Sequence, residues 1–252
     1  MDFAKLWSTE IIKFRTLPSN VVTVSGAVVL AAAIALGMGT IVEPDGTLPA
    51  YGGMRVDSGG SQVLASGMQV VLYAMMVLGV LSVTGELRAG TLRVTMSMAP
   101  WRGLVYAAKL ASLATIAAAT ALAALLVEYV AALITAGDTA FSPFAQGGVF
   151  HLVSFLFTVP LMAILGAATG LLLRNGAGAI SALFAWAFAA EGILTAFLPQ
   201  SVYPYLPFVT IGVAAGSVTT GPVPFVGLLL FAGYTAVMAA VAYLFYKQRD
   251  VG

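Results

Sequence analysis

The chain has 252 residues, 60% of them apolar and only 8% charged, against about 25% charged in an ordinary soluble domain, which excludes a soluble globular protein and describes an integral membrane protein. The net charge of +1 says little about partners until the charges are placed. The lack of cysteine excludes disulfides, thiolate metal sites and cysteine nucleophiles.

From Met1 to Arg15 there is no apolar run that could act as a signal-peptide core, so the amino terminus is expected to stay uncleaved. Phe3, Leu6, Trp7, Ile11 and Phe14 recur at helical spacing, with Lys5, Thr9 and Lys13 on the opposite side. That pattern predicts an amphipathic helix within residues 1–17 lying in the membrane interface. Pro18, Ser19 and Asn20 break it, and Ser19 or Asn20 is placed to cap the next helix. Val21 to about Ile41 holds no charge over the roughly 20 residues needed to cross about 30 Å of hydrocarbon, and is the first span.

Glu43 to Gly60, rich in Gly, Pro and Asp, reads as an external loop, and Gln62 to Thr84 as the second span. Glu86 to Lys109 gathers Arg88, Arg93, Arg102 and Lys109 before a third span, about Leu110 to Ala136, that carries Glu128. A polar turn, Gly137 to Gly148, leads to a fourth span, about Val149 to Leu173. Arg174, Asn175 and Gly176 make a tight turn, and Ala177 to Leu198 is a fifth span carrying Glu191. The segment 199–224 contains Pro199, Pro204, Pro207, Pro222 and Pro224 around an apolar stretch, and is too broken for one ordinary span. It reads as an external or re-entrant pair of short helices. Phe225 to Tyr246 is the sixth span.

Basic residues set the orientation. With the amino terminus inside, Lys5, Lys13, Arg15, Arg88, Arg93, Arg102, Lys109, Arg174, Lys247 and Arg249 are cytoplasmic, and of the 11 basic residues only Arg55 is outside. The expected fold is therefore one all-α transmembrane domain over residues 1–252, with six spans and both termini cytoplasmic.

The element from Glu86 to Lys109 has its own internal order. Gly90 and Thr91 favour a break and a helix start, Leu92 to Ala99 suffices for about two turns, and Pro100 stops it. Leu92, Met96 and Ala99 share one side, with Arg93 and Ser97 on another. A helix this short is marginal alone in water, so it is expected to pack against a partner.

The order Glu86, Arg88, Gly90, Thr91, Leu92, Arg93, then Pro100, Arg102 and Ala108-Lys109, between spans two and three, resembles the cytoplasmic loop of ABC-2 type ABC transporter permeases. The similarity is to that family's Glu-x-x-x-Gly-Thr and Pro-x-Arg followed by an Ala-Lys pattern, within the same order of interfacial helix, six spans and broken segment. The resemblance implies a coupling helix docked on a separate ATP-hydrolysing subunit through Glu86, Arg88, Gly90, Thr91, Leu92, Arg93, Met96, Pro100 and Arg102. It also implies an export pathway formed between two permease halves, this chain and a second copy or a homologue, in a bacterial plasma membrane, with ATP and Mg bound by the partner ATPase and no cofactor on this chain.

No Gly-x-x-x-x-Gly-Lys-Ser/Thr occurs, so the energy source is expected on another polypeptide and the chain is not itself expected to be an enzyme. The single histidine, His151, excludes a two-histidine zinc helix, and no catalytic or metal site is expected. Glu128 and Glu191 are the candidate intramembrane polar site, because burying ionisable groups in a membrane is expensive. Two readings stand for them: a polar exit or proton-linked site, or side chains that snorkel or hydrogen-bond across helices. Gly166 and Gly170 permit close helix approach, either inside the chain or at a dimer seam. Competing functions are a secondary transporter of inverted three-span halves, disfavoured by its unmatched loops, and a non-transporting membrane scaffold.

Overall fold

A computed structural model describes residues 2–41, 47–48, 54–55, 59–91, 102–140, 148–215, 218 and 221–248. The helices run in the order α1 (Phe3–Thr16), α2 (Pro18–Ile41), α3 (Gly59–Ala89), α4 (Arg102–Ala140), α5 (Gly148–Leu173), α6 (Gly176–Phe184), α7 (Glu191–Phe197), α8 (Val209–Ala214) and α9 (Pro224–Gln248). A π-helical stretch, Ala185–Ala190, joins α6 to α7, and a 3₁₀ turn, Tyr203–Tyr205, precedes α8. Between α2 and α3 two short strands, β1 (Thr47–Leu48) and β2 (Met54–Arg55), pair antiparallel with Thr47 opposite Arg55.

Six helical segments among the described residues are long and apolar enough to cross a membrane: Pro18–Ile41, Gly67–Ala89, Arg102–Thr135, Leu152–Leu173, Gly176–Phe197 and Pro224–Lys247. The chain is a helical, multi-pass membrane bundle. Its boundaries depart from the expected ones for local reasons. Helix α2 starts at Pro18, where proline's missing N–H costs nothing in a first turn, so Ser19 and Asn20 lie inside the helix and do not precede it. Helix α4 starts at Arg102, not Leu110, because Lys109 and Tyr106 find partners inside the bundle and need not stop at a membrane surface. At 39 residues it is about 58 Å long by helix rise, well beyond a hydrocarbon core of about 30 Å.

Helices α3 and α5 form the centre of the bundle and make its most extensive pairing. In lipid there is no hydrophobic drive between apolar helices, so small residues that allow close backbones decide which faces meet. Gly79 lies against the Ala163 carbonyl and Gly166 against the Met76 carbonyl, leaving no room for a Cβ at either glycine. Gly166 and Gly170 thus face α3 within the chain, the second against Val80 and Thr84. Helix α2 presents Ala27, Ala31, Ala35 and Gly39, one every fourth residue, as its buried stripe. Its other faces are open, as are most of α6, α7 and α9.

Helix α3 ends where the sequence expects a break: Gly90 adopts φ 67°, a left-handed conformation that glycine takes without strain, and its N–H donates to the Leu87 carbonyl. The turn from α5 to α6 uses Arg174 at φ 53°, followed by Asn175, whose side-chain oxygen accepts from the Gly178 N–H as a helix cap.

Candidate functional site

Four charged side chains converge where α1 meets the ends of α3 and α4 that flank the 86–109 element. Lys109 Nζ on α4 lies 2.7 Å from Glu10 Oε2 on α1 and 3.0 Å from Glu86 Oε1 on α3. Lys13 Nζ, one turn from Glu10, lies 2.7 Å from Glu10 Oε1 and 3.5 Å from Glu86 Oε1. Two cations and two anions therefore close a ring across three helices. The ring is mostly shielded: Lys109 is 8% exposed and Glu10 11%, whereas Lys13 is 36% exposed.

Helix α1 is placed for this by its own pattern. Leu6 packs on Val105 and Ala108 of α4, and the Trp7 indole N–H donates to Thr115 Oγ1 at 3.3 Å. Phe14 rests against the bundle core. Glu10 stands one turn after Leu6 and one turn before Phe14, inside the buried stripe, so the helix that buries these apolar residues must also bury a carboxylate. Phe3 and Ile12 remain exposed. Lys13, expected on the solvated face, turns inward because Glu10 and Glu86 are both within reach.

Burial by itself would push the Glu10 carboxyl up, but Lys109 and then Lys13 outweigh it and hold the group below its ordinary 4.5. Burial would likewise pull the Lys13 ammonium down, but Glu10 and Glu86 outweigh it and hold the group above its ordinary 10.5. Both groups are thus charged throughout the neutral range.

The other docking candidates divide. Arg88 is exposed, and Gly90 and Thr91 close α3, with the Thr91 hydroxyl donating to the Glu86 carbonyl at 3.4 Å. Arg102 donates from Nη1 to the Lys247 carbonyl at 3.2 Å, tying the start of α4 to the last turn of α9. Leu92, Arg93, Met96 and Pro100 lie outside the described residues. A cavity of about 550 Å³ opens beside the charge ring, lined by Lys13, Phe14, Asn20, Leu81, Glu86 and Ile116 among others.

No protein-family model matches the chain, and no curated protein is significantly similar to it. What the site does therefore rests on its chemistry. Among the described residues no group of three His, Cys, Asp or Glu side chains is placed to hold a metal ion.

The two glutamates of the spans have opposite surroundings. Glu191 is 2% exposed and takes four hydrogen bonds: from the Trp186 indole at 2.8 Å, from the Phe208 N–H at 2.9 and 3.0 Å to its two oxygens, and from the Val209 N–H at 2.9 Å. It therefore anchors the first turn of α8 to the end of the π-helical stretch. The wider π turn brings Trp186 and Glu191, five residues apart, onto one side, and their backbones are bonded in the same i→i+5 way. Glu128, by contrast, is fully buried and neither of its carboxyl oxygens has a hydrogen-bond partner among the described residues. The His151 side chain lies outside the described residues.

Sequence reasoning missed Glu10. The signal was present, since a carboxylate inside an apolar helical stripe calls for a cation or hydrogen-bond donors within reach, and Lys109 is the basic residue set deepest into an apolar run.

Proposed function

We propose that the chain is the membrane-embedded permease subunit of an ATP-driven exporter, of the ABC-2 type that its 86–109 element resembles. The observation that carries this reading is the bridging position of Lys109, bonded at once to Glu10 and Glu86. The residues that open and close the 86–109 element are thereby held to each other and to α1. A push by a soluble motor on the intervening residues 92–101 would be shared by the three helices that the ring ties together.

In this reading the basic end of the bundle is cytoplasmic, in a bacterial plasma membrane, and α1 rides in the inner interface with Phe3 and Ile12 toward the headgroups. Arg88, Gly90, Thr91, Leu92, Arg93, Met96 and Pro100 form the docking surface for an ATPase that binds ATP and Mg, and residues 86–109 supply the coupling helix. The segment 199–224 is external or re-entrant at the far side, and this chain with a second copy or a homologue encloses the export pathway.

The test is affinity purification of the tagged chain from its native membrane, followed by transport assays in vesicles. A stoichiometric soluble ATPase and vanadate-sensitive transport support the proposal. Transport that persists with no ATPase present identifies a secondary transporter, and an inserted protein that moves nothing with its ATPase supplied identifies a scaffold. Arg93→Glu is expected to leave insertion intact while separating ATP hydrolysis from transport.

A further inference from the structure

Glu128 is the one fully buried charged-type side chain for which the described residues provide no partner atom. It lies where α2, α3 and α4 meet. A Cβ on Gly67 of α3 would collide with Glu128 Oε1 and come within 2.7 Å of the Ala31 carbonyl of α2, so the carboxyl occupies the space that glycine leaves. The surrounding seam is made of small residues: Ala31 and Ala35 on α2, and Ala124 and Ala131 on α4.

No described ionisable side chain faces it from the helices around it. Helix α2 contains none from Pro18 to Ile41. On α3, Tyr73 is turned onto Phe184 and Phe188, while Glu86 and Arg88 are 19 and 21 residues from Gly67. On α4, Tyr129 is exposed, Lys109 is 19 residues away and the Asp138 side chain lies outside the described residues. His151 of α5 is outside them also.

The position of this group on the helix pair is specific. Gly67 precedes Glu86 by 19 residues on α3, and Glu128 follows Lys109 by 19 on α4. The two antiparallel helices therefore meet without slip at both contacts, which are about 28 Å apart by helix rise. One end of the pair is closed by ion pairs and the other by a carboxyl with no counter-ion among the described residues. An ionised carboxylate deprived of both water and donors is the costliest group a helix seam can hold, whereas the neutral acid is tolerated.

We propose that Glu128 is a proton-binding site that latches the α2–α3–α4 seam. With its proton in place the carboxyl is neutral and α4 closes over Gly67 and Ala31. When the O–H bond breaks and the proton passes to water, the carboxylate must be hydrated, and the seam separates at this end while the Lys109 end stays closed. This latch does not depend on the ATPase-coupled reading of the chain.

The native chain has no cysteine, so a single Ala35→Cys, at a fully buried position one turn from Ala31, reports the seam. The measurement is its rate of reaction with a water-soluble maleimide as pH is raised through the neutral range, divided by the rate for the same cysteine in Glu128→Gln. Glutamine resembles the neutral acid, and the intrinsic titration of the thiol cancels in the ratio. A ratio that climbs several-fold with pH is expected, and a flat one overturns the proposal.

Infrared difference spectra of the unmodified protein minus Glu128→Gln supply an independent readout. The C=O stretch of a protonated carboxyl is expected at neutral pH, and carboxylate bands in its place overturn the proposal. Glu128→Met serves in both comparisons if the glutamine variant does not accumulate.

Discussion

Lys109 Nζ sits 2.7 Å from Glu10 Oε2, joining a helix that begins at the third residue to one that begins at the hundred and second. Because Lys109 also bonds Glu86, its removal leaves two largely buried carboxylates with only the half-exposed Lys13 between them. Lys109→Met is therefore expected to destabilise the bundle by about 3 kcal/mol, read as a lower unfolding midpoint in detergent. The double variant Lys109→Met with Glu10→Met should recover part of that loss, because it removes one orphaned charge and keeps the apolar packing of α1. A double variant no more stable than the single one would show that α1 is held by its apolar stripe alone.

The same ring predicts a stability plateau in pH with two edges. Glu10 is held below its ordinary 4.5, so the folded state binds its proton less readily than the unfolded chain. Its contribution is complete above that value and is lost as pH falls through the lowered one. Lys13 is held above its ordinary 10.5, so its contribution is complete below that value and is lost as pH rises past it. With Glu128 replaced by Gln, so that only the ring titrates, unfolding midpoints measured across pH should be flat between these edges, and adding Glu10→Gln should shrink the acid edge.

The α3–α5 contact is a backbone contact, and it should tolerate no side chain. A Cβ on Gly166 overlaps the Met76 carbonyl, a main-chain atom that cannot swing aside. Gly166→Leu is expected to cost about 3 kcal/mol or to prevent accumulation. Gly26 on α2, with nothing within 4 Å of the corresponding position, supplies the comparison. Gly26→Ala should be neutral or stabilise by up to about 1 kcal/mol. Equal expression and equal thermal midpoints for the two variants would refute this packing.

Glu191 is predicted to act as a structural anchor for the segment after the fifth span. Glu191→Ala strips the partners from the Phe208 and Val209 N–H groups and from the Trp186 indole. A loss of about 3 kcal/mol is expected, because three N–H donors lose their acceptor at once. In a background with Trp7 and Trp101 replaced by Phe, Trp186 emission should change in the same variant. Glu191→Gln should recover part of the stability, since its carbonyl oxygen still accepts. An unaltered Trp186 spectrum in Glu191→Ala would count against the bond to the indole.

Much of this protein is legible from composition and periodicity, because each helix that crosses a membrane must satisfy its backbone internally and show an apolar exterior. Six apolar runs, the break at Gly90, the turn at Arg174 and the amphipathic stripe of Phe3, Leu6, Trp7, Ile11 and Phe14 are local properties, set by residues a few positions apart. Pairing between helices is different, since lipid rewards Leu, Val and Ala on every face alike and the apolar pattern does not say which face turns inward. Only the tertiary structure brought Glu10 to Lys109, 99 residues later, turned Lys13 from the expected polar face into the same ring, and set Gly166 against Met76. It also separated two glutamates that look equivalent along the chain. Glu191 meets three N–H donors from a π turn and a short helix, whereas Glu128 lies against Gly67 with no donor among the described residues, and the supply of donors at each carboxyl depends on contacts that sequence spacing does not encode.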